Sequence, residues 1–260
     1  MCCWSLKYIF FRGDFLKKMS KKLKIFLISL LCFIIVCCTA FGIYVSDYYH
    51  ANDAALAATF SDDTVTVIQK NDDYMVFTPE KPRCGLVFYP GGKVEYSAYA
   101  PLLYRCAEMG ITCVLVEMPG NLAVLDINAA DGIQERYTHV NEWYLAGHSL
   151  GGAMASSYLA SHAEEYEGII LLGAYATEPL NGEQVLSIYG SEDRVLNMEK
   201  YEEGRANLPA DYTELIIDGG CHAYFGAYGA QEGDGVPTIT AEAQWDITAQ
   251  AITEFVLDTK

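Results

Sequence analysis

Positive charge is scarce over most of this chain. Of 260 residues, 17 are Lys or Arg and 34 are Asp or Glu. The few cations are crowded at one end. Residues 1–24 hold seven of them (Lys7, Arg12, Lys17, Lys18, Lys21, Lys22 and Lys24) against Asp14, which leaves ten against 33 acids in the remainder. An acidic body of that size repels a phosphate backbone, so nucleic acid is excluded as a partner. The nine cysteines include no CxxC pair, so the usual zinc and redox signatures are missing. Internal repeats and low-complexity segments are also missing. With 52% hydrophobic and 20% charged residues, the chain is neither disordered nor fibrous, and it is long enough for one domain with a sizeable core.

A long hydrophobic run is present once. Residues 25–45, IFLISLLCFIIVCCTAFGIYV, carry no charge. At about 1.5 Å per residue they span about 31 Å, the thickness of a bilayer's hydrocarbon core. The lysines precede the run, which places the N-terminus in the cytoplasm and the acidic body outside. The expected organisation is a basic head (1–24), a transmembrane signal anchor (25–45), a spacer (46–62) and a folded domain (63–260). Cys38 and Ala40 are small enough for the alternative, a signal peptide cleaved after Ala40. Val36 and Cys37 fit poorly before a lipidated cysteine. Cys84, Cys106, Cys113 and Cys221 lie in the body; outside the cell a disulfide between two of them is permitted, and buried free thiols are the favoured reading.

Beyond the spacer, short apolar runs alternate with longer amphipathic ones. TVTVIQ (64–69) and YMVFT (74–78) predict an opening hairpin. CGLVFY (84–89), ITCVLVEM (111–118), NEWYLAG (141–147), GIILLGAY (168–175), VLSIYG (185–190) and ELIID (214–218) predict further strands. Helical spacing covers 97–110, 150–167 and 240–257. Strands this continuously apolar are buried on both faces. The alternation therefore predicts a doubly wound, mostly parallel α/β sheet, with ligands bound beyond the carboxyl ends of the strands.

One such end reads WYLAGHSLGG (143–152). GHSLG fits the G-x-S-x-G pattern of a nucleophile elbow. A serine hydroxyl must stand clear of the sheet to reach a carbonyl carbon. That takes a very tight strand-to-helix turn, and glycines on both sides leave room for it. The helix that follows offers free N–H groups, and that of Leu150 can stabilise an oxyanion. Ser149 needs a base, and the base needs an orienting carboxylate. His50 adjoins the membrane run, His139 precedes a strand, His148 adjoins the serine and His162 lies far along the helix. His222, in IIDGGCHAYFG, follows the last strand on a glycine-rich loop and is the expected base. Asp193, just past VLSIYG, is the expected acid, with Glu192 and Asp218 as competitors.

The elbow, the strand pattern and the order Ser, Asp, His resemble the α/β-hydrolase superfamily over about residues 63–258. YPGGKVEYSAYAPL and GGCHAYFGAYGAQEGDG further resemble bacterial hydrolases grouped with the dienelactone hydrolases. The resemblance implies an α/β-hydrolase fold with an eight-stranded or slightly reduced sheet, and acyl-enzyme chemistry. The best-known dienelactone hydrolases use a cysteine nucleophile, whereas this chain has Ser149. A second oxyanion donor is implied in the loop after CGLVFY, where many members have His-Gly. Here the loop is Tyr89-Pro90-Gly91-Gly92-Lys93, so Gly92 is the expected donor, with Lys93 the next choice. Members often insert a cap after the sixth strand. Only about ten residues separate GIILLGAY from VLSIYG, which predicts no large cap and an open, wet site. Residues 226–237 suit either one wall of the site or a solvated loop, the second being slightly favoured by the glycines, Glu232 and Asp234.

The expectation is a membrane-anchored serine hydrolase of carboxylic esters, needing no metal or cofactor and acting on a small-molecule ester. The same residue types also suit an acyltransferase, a peptidase or a non-catalytic binding module.

Overall fold

A computed structural model describes residues 20–70, 73–180 and 182–257, in two compact units divided between Asp47 and Tyr48. The first unit is helix α1 (Lys21–Ser46), capped by Ser20, whose hydroxyl accepts the Leu23 N–H. It is long and apolar enough to cross a membrane, with mean hydropathy 2.7, and none of its residues is buried.

The second unit is built on eight strands: β1 (Val65–Lys70), β2 (Tyr74–Pro79), β3 (Cys84–Tyr89), β4 (Ile111–Val116), β5 (Trp143–His148), β6 (Gly168–Leu172), β7 (Gln184–Gly190) and β8 (Thr213–Ile217). They form one sheet in the order β1-β2-β4-β3-β5-β6-β7-β8. The β1/β2 hairpin is antiparallel, β2 runs antiparallel to β4, and β3 to β8 are all parallel. The five other helices are α2 (Asp53–Ala57), α3 (Ala100–Glu108), α4 (Leu150–Ser161), α5 (Met198–Gly204) and α6 (Ala241–Leu257).

The continuous apolar strands have the expected cause. Successive side chains of a strand point to opposite faces. Leu86 and Phe88 of β3 enter one core with Leu102, Leu103, Trp245 and Ile252 from α3 and α6. Val87 and Tyr89 enter the other with Ala155, Tyr158 and Leu159 from α4. A sheet covered on both sides needs apolar residues at every position of its central strands, so the period-two alternation disappears.

Three stretches add to the sequence reading. Within the expected spacer, 46–62, the chain is tied down from Tyr49 onward. The Tyr49 N–H donates to the Lys93 carbonyl and the Glu95 N–H to the Tyr49 carbonyl, 2.8 and 2.9 Å. The Asn52 N–H donates to Ala227, and Ala55 is fully buried. Second, α4 stops at Ser161 instead of continuing to 167; a 3-10 turn, Ala163–Glu165, follows it. Third, between β4 and β5 the chain makes three 3-10 turns with no hydrophobic period. The Tyr89 hydroxyl fastens this excursion, donating to the Ile127 carbonyl and accepting the Ala130 N–H.

Cys84, Cys106, Cys113 and Cys221 are free and buried, and the described residues contain no disulfide. Burial, with Cys106 alongside, pushes the Cys113 thiol well above its usual range, and burial pushes Cys221 up to about 12. Only a thiolate alkylates readily. In the native protein at pH 8, iodoacetamide should therefore spare Cys113 and Cys221, burial should shield Cys84 and Cys106 as well, and denaturant should expose all four, as read by mass spectrometry.

Candidate active site

The carboxyl ends of β3, β5, β7 and β8 share one edge of the sheet, and every residue expected in the site lies just beyond one of them. Pairing of Tyr89 with Gly147 sets the loop after β3 beside the turn after β5. Pairing of Gly190 with Ile217 does the same for the loops after β7 and β8.

Ser149 occupies the junction of β5 and α4 with φ 52° and ψ −123°. Side-chain-bearing residues seldom adopt positive φ, and strain of this kind costs on the order of 1–3 kcal/mol. The flanking glycines make the turn possible. A Cβ at Gly147 would lie 2.6 Å from backbone atoms of Gly151 and Gly152, and one at Gly152 would lie 2.6 Å from the Ala174 Cβ. A Cβ at Gly151 would collide with the Tyr89 and Pro90 carbonyls. The strand and helix thus approach as closely as backbones allow, and Ser149 stays half-buried at the bend.

His222 and Asp193 are brought together. His222 Nδ1 donates to Asp193 Oδ2 at 2.8 Å, with the residues 1% and 6% exposed. The other carboxylate oxygen, Oδ1, accepts the N–H groups of Val195 and Leu196 at 2.9 and 2.8 Å. Because Asp193 accepts at Nδ1, the neutral ring carries its proton there and its lone pair on Nε2. Nε2 is buried and has no hydrogen-bond partner. The Ser149 hydroxyl is therefore not hydrogen-bonded to it in this conformation. Gly173, at φ +50° after β6, lies against the pair; a Cβ there would sit 2.9 Å from His222 Nδ1 and 3.1 Å from Asp193 Oδ2.

Gly92 and Leu150 also come together. A Cβ on Gly92 would lie 2.8 Å from Leu150 Cδ2 and 3.3 Å from Leu150 Cβ. Neither N–H finds an acceptor among the described residues. The neighbouring N–H groups are taken: Gly91 donates to the Tyr99 hydroxyl at 3.0 Å, and Lys93 to the Asn121 carbonyl at 2.7 Å. This leaves Gly92 as the free donor of its loop.

The competing residues have other partners. His50 faces Glu95 at 3.4 Å on the surface. His139 is exposed beside Tyr137. His162 stacks on Tyr158 at 4.0 Å with its Nδ1 at the Tyr158 carbonyl. Glu192 faces Arg194, and Asp218 is exposed past the end of β8.

His222 and Asp193, the expected base and acid, are buried. One expectation is corrected: residues 226–237 are not simply solvated. Asp234 folds this loop inward. Its Oδ2 accepts the Ala223 N–H at 2.8 Å and its Oδ1 the Arg194 N–H at 3.3 Å. Burial would raise the Asp234 pKa, but these backbone donors outweigh it and lower it. Gln244 of α6 grips Cys221 from the other side, accepting its N–H at 3.0 Å and donating to its carbonyl at 2.8 Å. Sequence reasoning passed over Gln244, although a polar residue one step before Trp245 in a helix with an apolar face was a signal. It also passed over Tyr99, whose hydroxyl lies 2.8 Å from His148 Nδ1. An aromatic in an apolar run offers no such signal.

Between β6 and β7 only Gly173 to Glu183 intervene, so no large cap is present. A pocket of about 400 Å³ lies beyond the end of β4, lined by Asp73, Glu117, Asp126, Asp131 and Arg136 among others, and contains none of the expected site residues.

An eight-stranded, doubly wound sheet with a strained serine turn after β5 defines a hydrolase scaffold. The profile of the alpha/beta hydrolase family matches residues 85–246, more than half of the sequence, and the chain belongs to that family. No curated relative matches the sequence. Solved structures with the same fold include a monoacylglycerol lipase from Paleococcus ferrophilus, 14% identical over 75% of this chain and 100% of that one, TM-score 0.56. A dienelactone hydrolase from Anabaena variabilis is 14% identical over 76% and 97%, TM-score 0.53. Est1E from Butyrivibrio proteoclasticus is 14% identical over 75% and 98%, TM-score 0.52.

Gly173→Ala should destabilise the protein by about 1–2 kcal/mol from the left-handed backbone alone. Urea unfolding measures the loss, and an unchanged midpoint would mean that the backbone at 173 relaxes freely.

Proposed function

We propose that this protein is a serine hydrolase that cleaves carboxylic esters through an acyl-enzyme. The observation that carries the reading is the buried Asp193–His222 pair, with its unpartnered Nε2 on the same sheet edge that holds Ser149 at positive φ. In this reading Ser149 Oγ attacks the ester carbonyl carbon and its proton passes to His222 Nε2. Negative charge gathers on the former carbonyl oxygen, where the Leu150 and Gly92 N–H groups meet it. As the tetrahedral intermediate collapses, the His222 proton passes to the departing alcohol oxygen. Water then attacks the acyl carbon, giving a proton to the same nitrogen; the second intermediate collapses by breaking the bond to Ser149 Oγ, which takes that proton back as the carboxylic acid leaves. Asp193 stabilises the imidazolium formed twice in the cycle and keeps the ring in the productive tautomer. Free enzymes often hold the serine–histidine contact long and tighten it with substrate, which accords with the unbonded Nε2.

The monoacylglycerol lipase and the dienelactone hydrolase among the similar folds agree with ester chemistry. The basic head before α1 and the acidic body after it favour a single-pass cell-membrane protein with the hydrolase domain outside the cytoplasm.

Ser149→Ala should lower turnover of short p-nitrophenyl esters by on the order of 10⁴-fold or more while preserving the thermal midpoint. Fluorophosphonate should label the wild type at Ser149 and leave the variant unlabelled. Near-normal hydrolysis by the variant would refute the assignment.

A further inference from the structure

His148 sits inside the nucleophile turn and is not one of the groups assigned to the chemistry, yet it is 1% exposed and deeply connected. Its ring centroid lies 4.3 Å from that of His222 and 5.4 Å from that of Phe225. Its Nδ1 lies 2.8 Å from the hydroxyl of Tyr99, itself fully buried. The same hydroxyl accepts the Gly91 N–H at 3.0 Å. Gly91 has no room for a side chain: a Cβ would sit 2.6 Å from the Tyr99 hydroxyl and 2.9 Å from His148 Nδ1.

The hydrogens in this chain can be assigned. A phenol has one hydrogen to give, and burial raises the Tyr99 pKa, so the hydrogen stays on. Among the described residues, the acceptor within reach of it is His148 Nδ1. Were Nδ1 protonated, both the phenol hydrogen and the Nε2 lone pair would be buried without a partner; with Nδ1 accepting, only the Nε2 hydrogen is, so this arrangement loses less. Burial, then the neighbouring His222, also hold the His148 pKa well below its usual value, so its ring is neutral. The order is therefore Gly91 N–H to Tyr99 oxygen, and Tyr99 O–H to His148 Nδ1.

This buried chain joins three loops. It begins one residue before Gly92, passes through the residue before Ser149 and ends against the His222 ring, which is tilted 46° from that of His148. Building on the serine-hydrolase reading, we propose that Tyr99 is a positioning residue, acting through Gly91 to aim the Gly92 N–H and through His148 to seat the His222 ring. Tyr99 touches neither substrate nor reacting atoms. Loss of its hydroxyl leaves the Gly91 N–H and His148 Nδ1 unsatisfied and both loops free to shift. A misaimed oxyanion donor matters most when the carbonyl oxygen carries charge, so the loss falls on turnover and not on substrate binding.

The test uses the full-length protein with a p-nitrophenyl ester, active sites counted by fluorophosphonate. Tyr99→Phe should lower kcat per labelled site by about 10- to 100-fold, less than outright loss of an oxyanion donor, with KM within about twofold of wild type. His148→Asn, which offers the phenol an oxygen near the position of Nδ1, should retain more of kcat than His148→Leu, which offers nothing. A Tyr99→Phe enzyme with kcat within twofold of wild type overturns the proposal. So does a fall in activity that vanishes on correction for labelled sites, or equal loss in the two His148 variants. A wild-type protein that neither hydrolyses ester nor labels at Ser149 overturns the serine-hydrolase reading and this proposal with it. An active wild type with an unaffected Tyr99→Phe variant overturns this proposal alone.

Discussion

The close approach of β5 and α4 is the constraint from which the arrangement of the site follows. Backbone meets backbone between Gly147 and Gly151–Gly152, and the residue between them is forced to φ 52°. An isolated peptide would relax from that conformation. Here it persists because β5 is clamped between β3 and β6, and because α4 carries Ala155, Tyr158 and Leu159 into one of the two cores. The strain is local and its support is spread across the sheet. The result is a side chain presented where neither strand nor helix would place it, with an unpaired N–H immediately after it.

The electrostatics of the edge follow from burial. An isolated carboxylate would be costly at 6% exposure. Asp193 is held by two backbone donors on one oxygen and an imidazole on the other, so its charge is answered without an ion pair to Lys or Arg. This solves a problem posed by an acidic body with few cations. The donors are main-chain groups fixed by the loop after β7, so the carboxylate is held without any long side chain having to be ordered. The base loop is held from both sides, by Asp234 and by Gln244, and so does not depend on a cap to keep its place.

Much of this was legible in the sequence because the relevant residues are punctuation. Glycines, the serine between them and the polar residues just after apolar runs are where a parallel sheet gathers its chemistry. Ser149, Leu150, Asp193, His222 and Gly92 could be read from that rule and from the family resemblance. The strands could be read because burial on both faces erases alternation. What was illegible lacks a periodic or compositional sign. The excursion between β4 and β5 is fastened by single hydroxyl contacts of Tyr89. The inward fold of 226–237 depends on where the Asp234 carboxylate lands, and a loop of glycine and acids gives no hint of it. Tyr99 looks like any core aromatic until its hydroxyl is located in space.

The short bridge between Tyr49 and Val94 bears on where the hydrolase domain begins. A boundary drawn at the first strand of the sheet would discard Tyr49, and with it the partners of the Lys93 carbonyl and the Glu95 amide. Those two groups lie directly after Gly92. A shortened protein cut near residue 63 would keep every strand and every candidate site residue, yet release the chain that leaves the Gly92 loop. The segment that looks like packaging is, in this sense, a ninth support for the edge that gathers the candidate site.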